Sequence, residues 1–272
     1  MNWADPDVKS DSFSLVKYGR CLKKAVDLNY VIVQVCQTAA PLPEKCLILR
    51  HDIEYSVDCA LRMAELEHDH GVCSSYFVLA HSVFYNPFTP QNTRRIRRII
   101  ELGHEVGLHY ETYYFENNGL SPTKGIRSDA VYMEQMFDIH VRSISQHRPA
   151  RSSFIDDLGK HFIDAYRPEL IYGMYYISDS GCKWRHADLY DSLGREEQIH
   201  ALIHPDYWGF AETDNLPSIY RAIARANAQE IADECELLIE QNFDYLKRRR
   251  EMDRARGERY GARPMGQSPG GH

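Results

Sequence analysis

The sequence has no strong basic field, no paired-cysteine motif and no long apolar run, and each absence closes off a class of protein. Its 32 Lys and Arg are outnumbered by 39 Asp and Glu, giving a formal net charge of -7. Nothing in that balance argues for attraction to nucleic acid or to an anionic membrane. Two local basic runs, Arg94-Arg95-Ile96-Arg97-Arg98 and Lys247-Arg248-Arg249-Arg250, fall on helical patterns and read as solvated helix faces. The seven cysteines are odd in number and include no Cys-x-x-Cys pair, which suits reduced thiols rather than a disulfide framework. The first residues, Met1 to Asp7, carry neither a basic n-region nor an apolar h-region. No run of about 18 apolar residues occurs. The expectation is a soluble, cytoplasmic protein without an internal repeat.

What is present is enough chain for one large α/β domain: 272 residues, 43% hydrophobic and 26% charged. Apolar spacing from Ser12 to Leu28 predicts an opening helix, and Tyr30 to Val33 a short strand. Ser56 is placed to cap a helix that Gly71 stops. Strands are predicted at Cys73–Leu79, Glu105–His109, Val141–Ser145, Leu170–Ile177 and Ile199–Ile203. Helices are predicted at Gln91–Leu102 and Ile126–Phe137. A long helix begins near Pro217, a residue suited to a first helical turn. The boundaries expected are one domain over residues 1–250 and a disordered tail over 251–272, where Gly, Arg and Pro accumulate. Strand alternating with helix implies an α/β fold whose mostly parallel sheet curls into a barrel.

The chain is organised around Cys46-Leu-Ile-Leu-Arg-His-Asp-Ile-Glu-Tyr55. With period-2 alternation, Asp52 and Glu54 share one side of this strand and Ile53 takes the other. Two acids at a strand's C-terminal end are expensive to bury unless a metal, a cation or a proton transfer uses them. The remaining strand ends add His51, His109, Glu111, His147, Arg148, Asp179 and His204, at the face where barrels of this kind gather their chemistry. One carboxylate with two neutral imidazoles suits Zn²⁺, Co²⁺, Ni²⁺ or Fe²⁺ and leaves a position open for water. Such an ion lowers the pKa of its water toward about 7 and polarises a carbonyl. A second carboxylate serves as base, a separate histidine protonates the leaving group, and Arg148 is available to pair with the base. That inventory fits hydrolysis of an amide or ester.

Over roughly residues 45 to 210 these motifs resemble the polysaccharide deacetylases of carbohydrate esterase family four, metal-dependent deacetylases on a distorted (β/α) barrel. By that resemblance His51-Asp-Ile-Glu54 supplies Asp52 as catalytic base and Glu54 as the metal-binding acid. Gly103-His-Glu-Val-Gly-Leu-His109 supplies the first metal histidine, His109, and His147-Arg148-Pro149 the arginine that steadies the base. Asp179 with Trp184 matches the fourth motif, and Leu202-Ile-His204 supplies His204 as catalytic acid. Two positions depart from the pattern. Tyr113 stands where the family has a second metal histidine, and Glu54 replaces an aspartate. His147 is expected to complete the shell with Glu54 and His109, with Glu111 and His51 as alternatives.

The activity implied is removal of an acetyl or other acyl group from an N-acylated carbohydrate or sugar-containing small molecule, with Zn²⁺ the favoured ion. A non-sugar amide substrate, or a non-catalytic descendant that binds a ligand or partner, are the alternatives. The oligomeric state stays open. Tyr113, Tyr114, Phe115, Tyr207 and Trp208 are candidates to stack on sugar rings at the rim, or to cover the barrel mouth. His104 and His200 read as structural.

Overall fold

The computed structural model describes residues 13–149, 156–185, 187–210 and 216–261. In chain order the main elements are α1 (Leu15–Asp27), β1 (Val31–Ile32), β2 (Cys46–Ile53), α2 (Val57–Asp69), β3 (Ser75–Leu79) and α3 (Pro90–Glu101). There follow β4 (Glu105–Tyr110), α4 (Thr112–Asn117), α5 (Pro122–Phe137), β5 (Ser143–Gln146), β6 (Ile163–Asp164) and α6 (Pro168–Ile171). The chain continues through β7 (Tyr175–Ser178), α7 (Leu189–Ser192), β8 (Gln198–Ile203), α8 (Pro205–Gly209) and α9 (Leu216–Gly261). The strands lie in the order β6-β5-β4-β3-β2-β8-β7, with β1 alongside the start of β2, and every pairing is parallel. Among the described residues β6 and β7 do not pair, so the sheet curls without closing, which is the distortion of this barrel.

All eight residues of β2 are buried, and the strand is paired on both edges, to β3 and to β8. Its even-numbered side chains face the barrel interior. Cys46 and Ile48 there join Phe77, Leu170 and Met174 in an apolar plug. Above the plug the same column turns polar with Arg50 and Asp52 and continues into Glu54. The odd-numbered side chains face the helices. Leu47 and Leu49 pack with α1, α7 and α8. Ile53 packs with α2, α3 and α5.

Helix starts follow capping chemistry. Ser14, Ser56 and Thr89 each accept a backbone N–H two or three residues into the helix they precede, satisfying one of its unpaired donors. Gly71 and Gly103 turn the chain out of α2 and α3 with φ of 70° and 92°, which only glycine adopts without strain.

Two expectations change. Of the predicted strand Leu170–Ile177, only the end is extended, as β7, because Pro168 starts a helical turn in α6. The second concerns the final helix, expected to begin near Pro217 and followed by a tail from 251. It runs to Gly261, so the expected disordered tail from 251 begins within a helix, and residues 262–272 lie outside the described residues. The chain divides into two compact units, Met1–Ala224 and Arg225–His272. In the first, Ile219 and Ile223 are buried in the core. In the second, every described side chain from 231 to 256 is exposed. Among the described residues no helix is long and apolar enough to cross a membrane.

Candidate active site

Glu54, just beyond β2, is the point on which the site converges. Its Oε1 lies 2.9 Å from His147 Nδ1, 3.8 Å from His109 Nε2 and 3.6 Å from His204 Nε2. His109 is the penultimate residue of β4, His147 follows β5 and His204 follows β8, so four strand ends deliver these side chains to one place. His109 and His147 are themselves 3.2 Å apart through Nε2 and Nδ1.

The first three residues fit a divalent ion. Ligand atoms around a tetrahedral ion with bonds of about 2.0–2.1 Å stand about 3.3 Å apart. The three separations here are 2.9, 3.2 and 3.8 Å. His109 Nδ1 donates to the Ser145 carbonyl at 2.9 Å, which fixes the ring with its Nε2 turned toward the cluster. Glu54, His109 and His147 therefore present a carboxylate and two imidazole nitrogens, all within 4.8 Å. Burial opposes ionisation of Glu54, but hydrogen bonds from the three imidazoles hold its carboxyl well below the usual range. Tyr113, in the place of the missing histidine, is 53% exposed on α4, away from this cluster. Glu111 stands outside the cluster too, and His51 points to the opposite side of β2.

Asp52 lies one step deeper and is fully clamped. Arg50 donates to both of its oxygens, Nε to Oδ1 at 3.0 Å and an Nη to Oδ2 at 2.7 Å. Ser145 Oγ approaches Oδ2 at 3.0 Å, and His109 Nδ1 is 3.8 Å from it. Burial would raise its pKa, but the Arg50 charge outweighs that and holds it at about 2. The arginine expected in this role was Arg148. The structure corrects that assignment: Arg148 is exposed, with φ 49°, where the chain turns after β5. Arg50 was missed because it looks like the polar end of an apolar run. Its signal was the two-residue step, since Arg50, Asp52 and Glu54 share one face of the strand.

His204 is positioned from behind by Asp179. Its Nδ1 donates to Asp179 Oδ1 at 2.6 Å, and Trp208 Nε1 donates to Oδ2 at 2.8 Å. The fixed Nδ1 leaves Nε2 facing Glu54. Burial disfavours the imidazolium, but Asp179 and Glu54 overcome it and raise the His204 pKa well above its usual value. Trp184, expected beside Asp179, instead packs against Phe13 and Trp208. A further carboxyl escaped notice in the sequence. Asp206 is fully buried with its Oδ2 3.3 Å from the Tyr55 amide, and burial and the Glu54 charge push it up to about 7.

Most of the rim aromatics are interior. Phe115, Tyr207 and Trp208 are buried, and Tyr114 stacks on His81 at 3.9 Å between centroids. Beside the site runs a groove of about 480 Å³, lined by His81, Tyr85, Phe88, Tyr114, Asp129 and Tyr132. Two lining residues reach the backbone at the end of β2: Ser82 Oγ donates to the Glu54 carbonyl and Tyr85 OH to that of Ile53.

No protein-family profile and no curated protein matches this chain. Solved structures do. The chain is similar to BA3943, a CE4 family pseudoenzyme from Bacillus anthracis, at 17% identity over 67% of this chain and 62% of that one, with a TM-score of 0.42. It thus spans less than two thirds of that protein's length. It is similar to the Streptococcus pyogenes deacetylase PplD at 12% identity, covering 77% of this chain and 91% of that one, TM-score 0.44. A third likeness is to the chitin deacetylase of Colletotrichum lindemuthianum, at 16% identity, 69% and 86% coverage, and TM-score 0.40.

Proposed function

We propose that this protein is a metal-dependent deacylase that removes an acetyl group from an N-acylated carbohydrate. The observation that carries the reading is the convergence on Glu54: three lone-pair donors spaced for one ion, with a clamped carboxylate on one side and an Asp179-backed histidine on the other. Glu54, His109 and His147 would hold the ion. When bound there, it would polarise the acyl carbonyl and acidify a water. Asp52, kept ionised by Arg50 and Ser145, takes the proton of the attacking water. His204 carries a proton on Nε2 and gives it to the leaving nitrogen, while Asp179 fixes the ring and stabilises its charge. The groove supports a sugar as the rest of the substrate, since aromatic walls beside the His81–Asp129 pair suit a ring with apolar faces and hydroxyl edges.

The test pairs metal analysis with hydrolysis of N-acetylglucosamine oligomers. The wild type purified without an affinity metal is expected to hold Zn²⁺ or Co²⁺ near one per chain, and His109→Ala and His147→Ala to lose it. Asp52→Asn and His204→Gln are expected to keep the metal and lose at least about a hundredfold in rate. Unchanged metal affinity in His147→Ala would overturn the ligand set. A wild type that takes up neither ion would overturn the enzyme.

A further inference from the structure

We propose that the exposed length of α9 pairs with the same length of a second copy of this chain, antiparallel, as a two-stranded coiled coil. This inference is independent of the reading of the active site. Ile231, Leu238, Tyr245 and Met252 recur every seven residues along α9 and are 67, 49, 58 and 63% exposed. Ala228, Cys235 and Asn242 stand three residues before the first three, and Arg249 stands three before Met252, so the second seam position is small or polar throughout. Ile239 and Leu246 widen the seam on one side and are 55 and 47% exposed. A helix carrying such a stripe draws its stability in water from burying it.

Charge identifies the occupant and its direction. Residues 229–240 hold five acids and no Lys or Arg, whereas residues 245–256 hold six Lys and Arg against two acids. A parallel pair would lay acid on acid and arginine on arginine. An antiparallel pair lays each acidic half on the other copy's basic half. In that alignment Ala228 faces the partner's Met252, Ile231 the stem of the partner's Arg249, Cys235 the partner's Tyr245 and Leu238 the partner's Asn242, while Glu234 flanks the partner's Arg248. Each of these contacts is repeated by the two-fold axis, so the assembly closes as a dimer. The seam from Ala228 to Met252 is about 36 Å long at 1.5 Å per residue.

Sedimentation velocity on the full chain at tens of micromolar tests this. The expected result is a dimer that Leu238→Glu converts to monomer with its far-ultraviolet dichroism otherwise preserved, and that weakens several-fold between 0.1 and 1 M salt. Direction is read by mild oxidation in a Cys73→Ser background. Tyr245→Cys is expected to give a covalent dimer through Cys235, and the parent none. A monomeric wild type, a dimer that survives Leu238→Glu, or a Cys235–Cys235 link in the parent each overturns the proposal. So does a monomer that pellets with anionic vesicles, which would assign the stripe to a membrane surface.

Discussion

The two sides of β2 carry two buried polar clusters that differ in one respect. On the helix side, Glu67 sits fully buried among donors. His51 Nε2 is 2.8 Å away, Ser74 Oγ 2.5 Å, Tyr76 OH 2.8 Å, and Tyr18 OH also donates to it. His104 closes the far side, with Nδ1 accepting from the Ser74 amide and Nε2 donating to the Ala64 carbonyl. Every carboxylate oxygen there has protein donors. On the barrel side, Glu54 is 12% exposed and meets His147 Nδ1 at 2.9 Å, which is itself 3.2 Å from His109 Nε2. The Glu67 carboxylate is saturated by protein donors, although His51 Nδ1 behind it has no partner, whereas the Glu54 cluster has the donor set and spacing that could hold a metal ion. The same residue types stabilise on one face and, in the function proposed above, would serve chemistry on the other.

The largest effect expected comes from breaking the closed cluster. Glu67→Ala leaves three hydroxyls and an imidazole buried without their acceptor, and is expected to destabilise the fold by about 3–5 kcal/mol in urea titration, with little change in metal binding by the protein that stays folded. The same carboxylate predicts an acid limb. Burial opposes its charge, but His51 and the hydrogen bonds hold it at about 2, below its ordinary 4.5. A depressed acid contributes stability above pH 4.5 that is lost as pH falls toward 2, here up to about 3 kcal/mol, and Glu67→Gln is expected to flatten that limb.

Next in size is the clamp beneath the open cluster. Arg50→Met strands a buried Asp52 charge and is expected to destabilise by about 3 kcal/mol, whereas Arg148→Ala stays within about 0.5 kcal/mol, the usual range for an exposed site. Equal effects from the two would return the base-steadying role to Arg148. Smallest is Ser145→Ala. Ser145 touches Asp52, Arg50 and His109. Its loss is expected to weaken metal affinity about 10- to 100-fold, as for other groups behind a ligand, while thermal stability changes little.

Strand-end chemistry was legible because it depends on alternation and topology alone: β2, β4, β5 and β8 brought Asp52, Glu54, His109, His147 and His204 to one end of the sheet. Partners chosen by three-dimensional proximity were not. Arg50 and Arg148 are equally plausible in one dimension, and so are Trp184 and Trp208. Only the turn after β5 and the single turn of α8 decide between them. His51 was read with the acids because it is their neighbour in sequence, and the pleat sends it the other way. The strand expected at Leu170–Ile177 is confined to its end, β7, because the proline before it starts a helical turn that the apolar content hid. The tail was expected from 251 because Gly, Arg and Pro accumulate there, and α9 carries Gly257 within it.

Alternate residues of β2 serve opposite faces, and the strand is locked to neighbours on both edges through Arg50↔Ser75 and Arg50↔Leu202. One inserted or deleted residue between Cys46 and Arg50 would present Arg50, Asp52 and Glu54 to the helices and His51 to the cleft, exchanging the occupants of both clusters at once. Point substitutions here can be compensated one neighbour at a time. A change in the number of residues cannot, so the spacing from Cys46 to Glu54 can be inherited only as an indivisible reading frame.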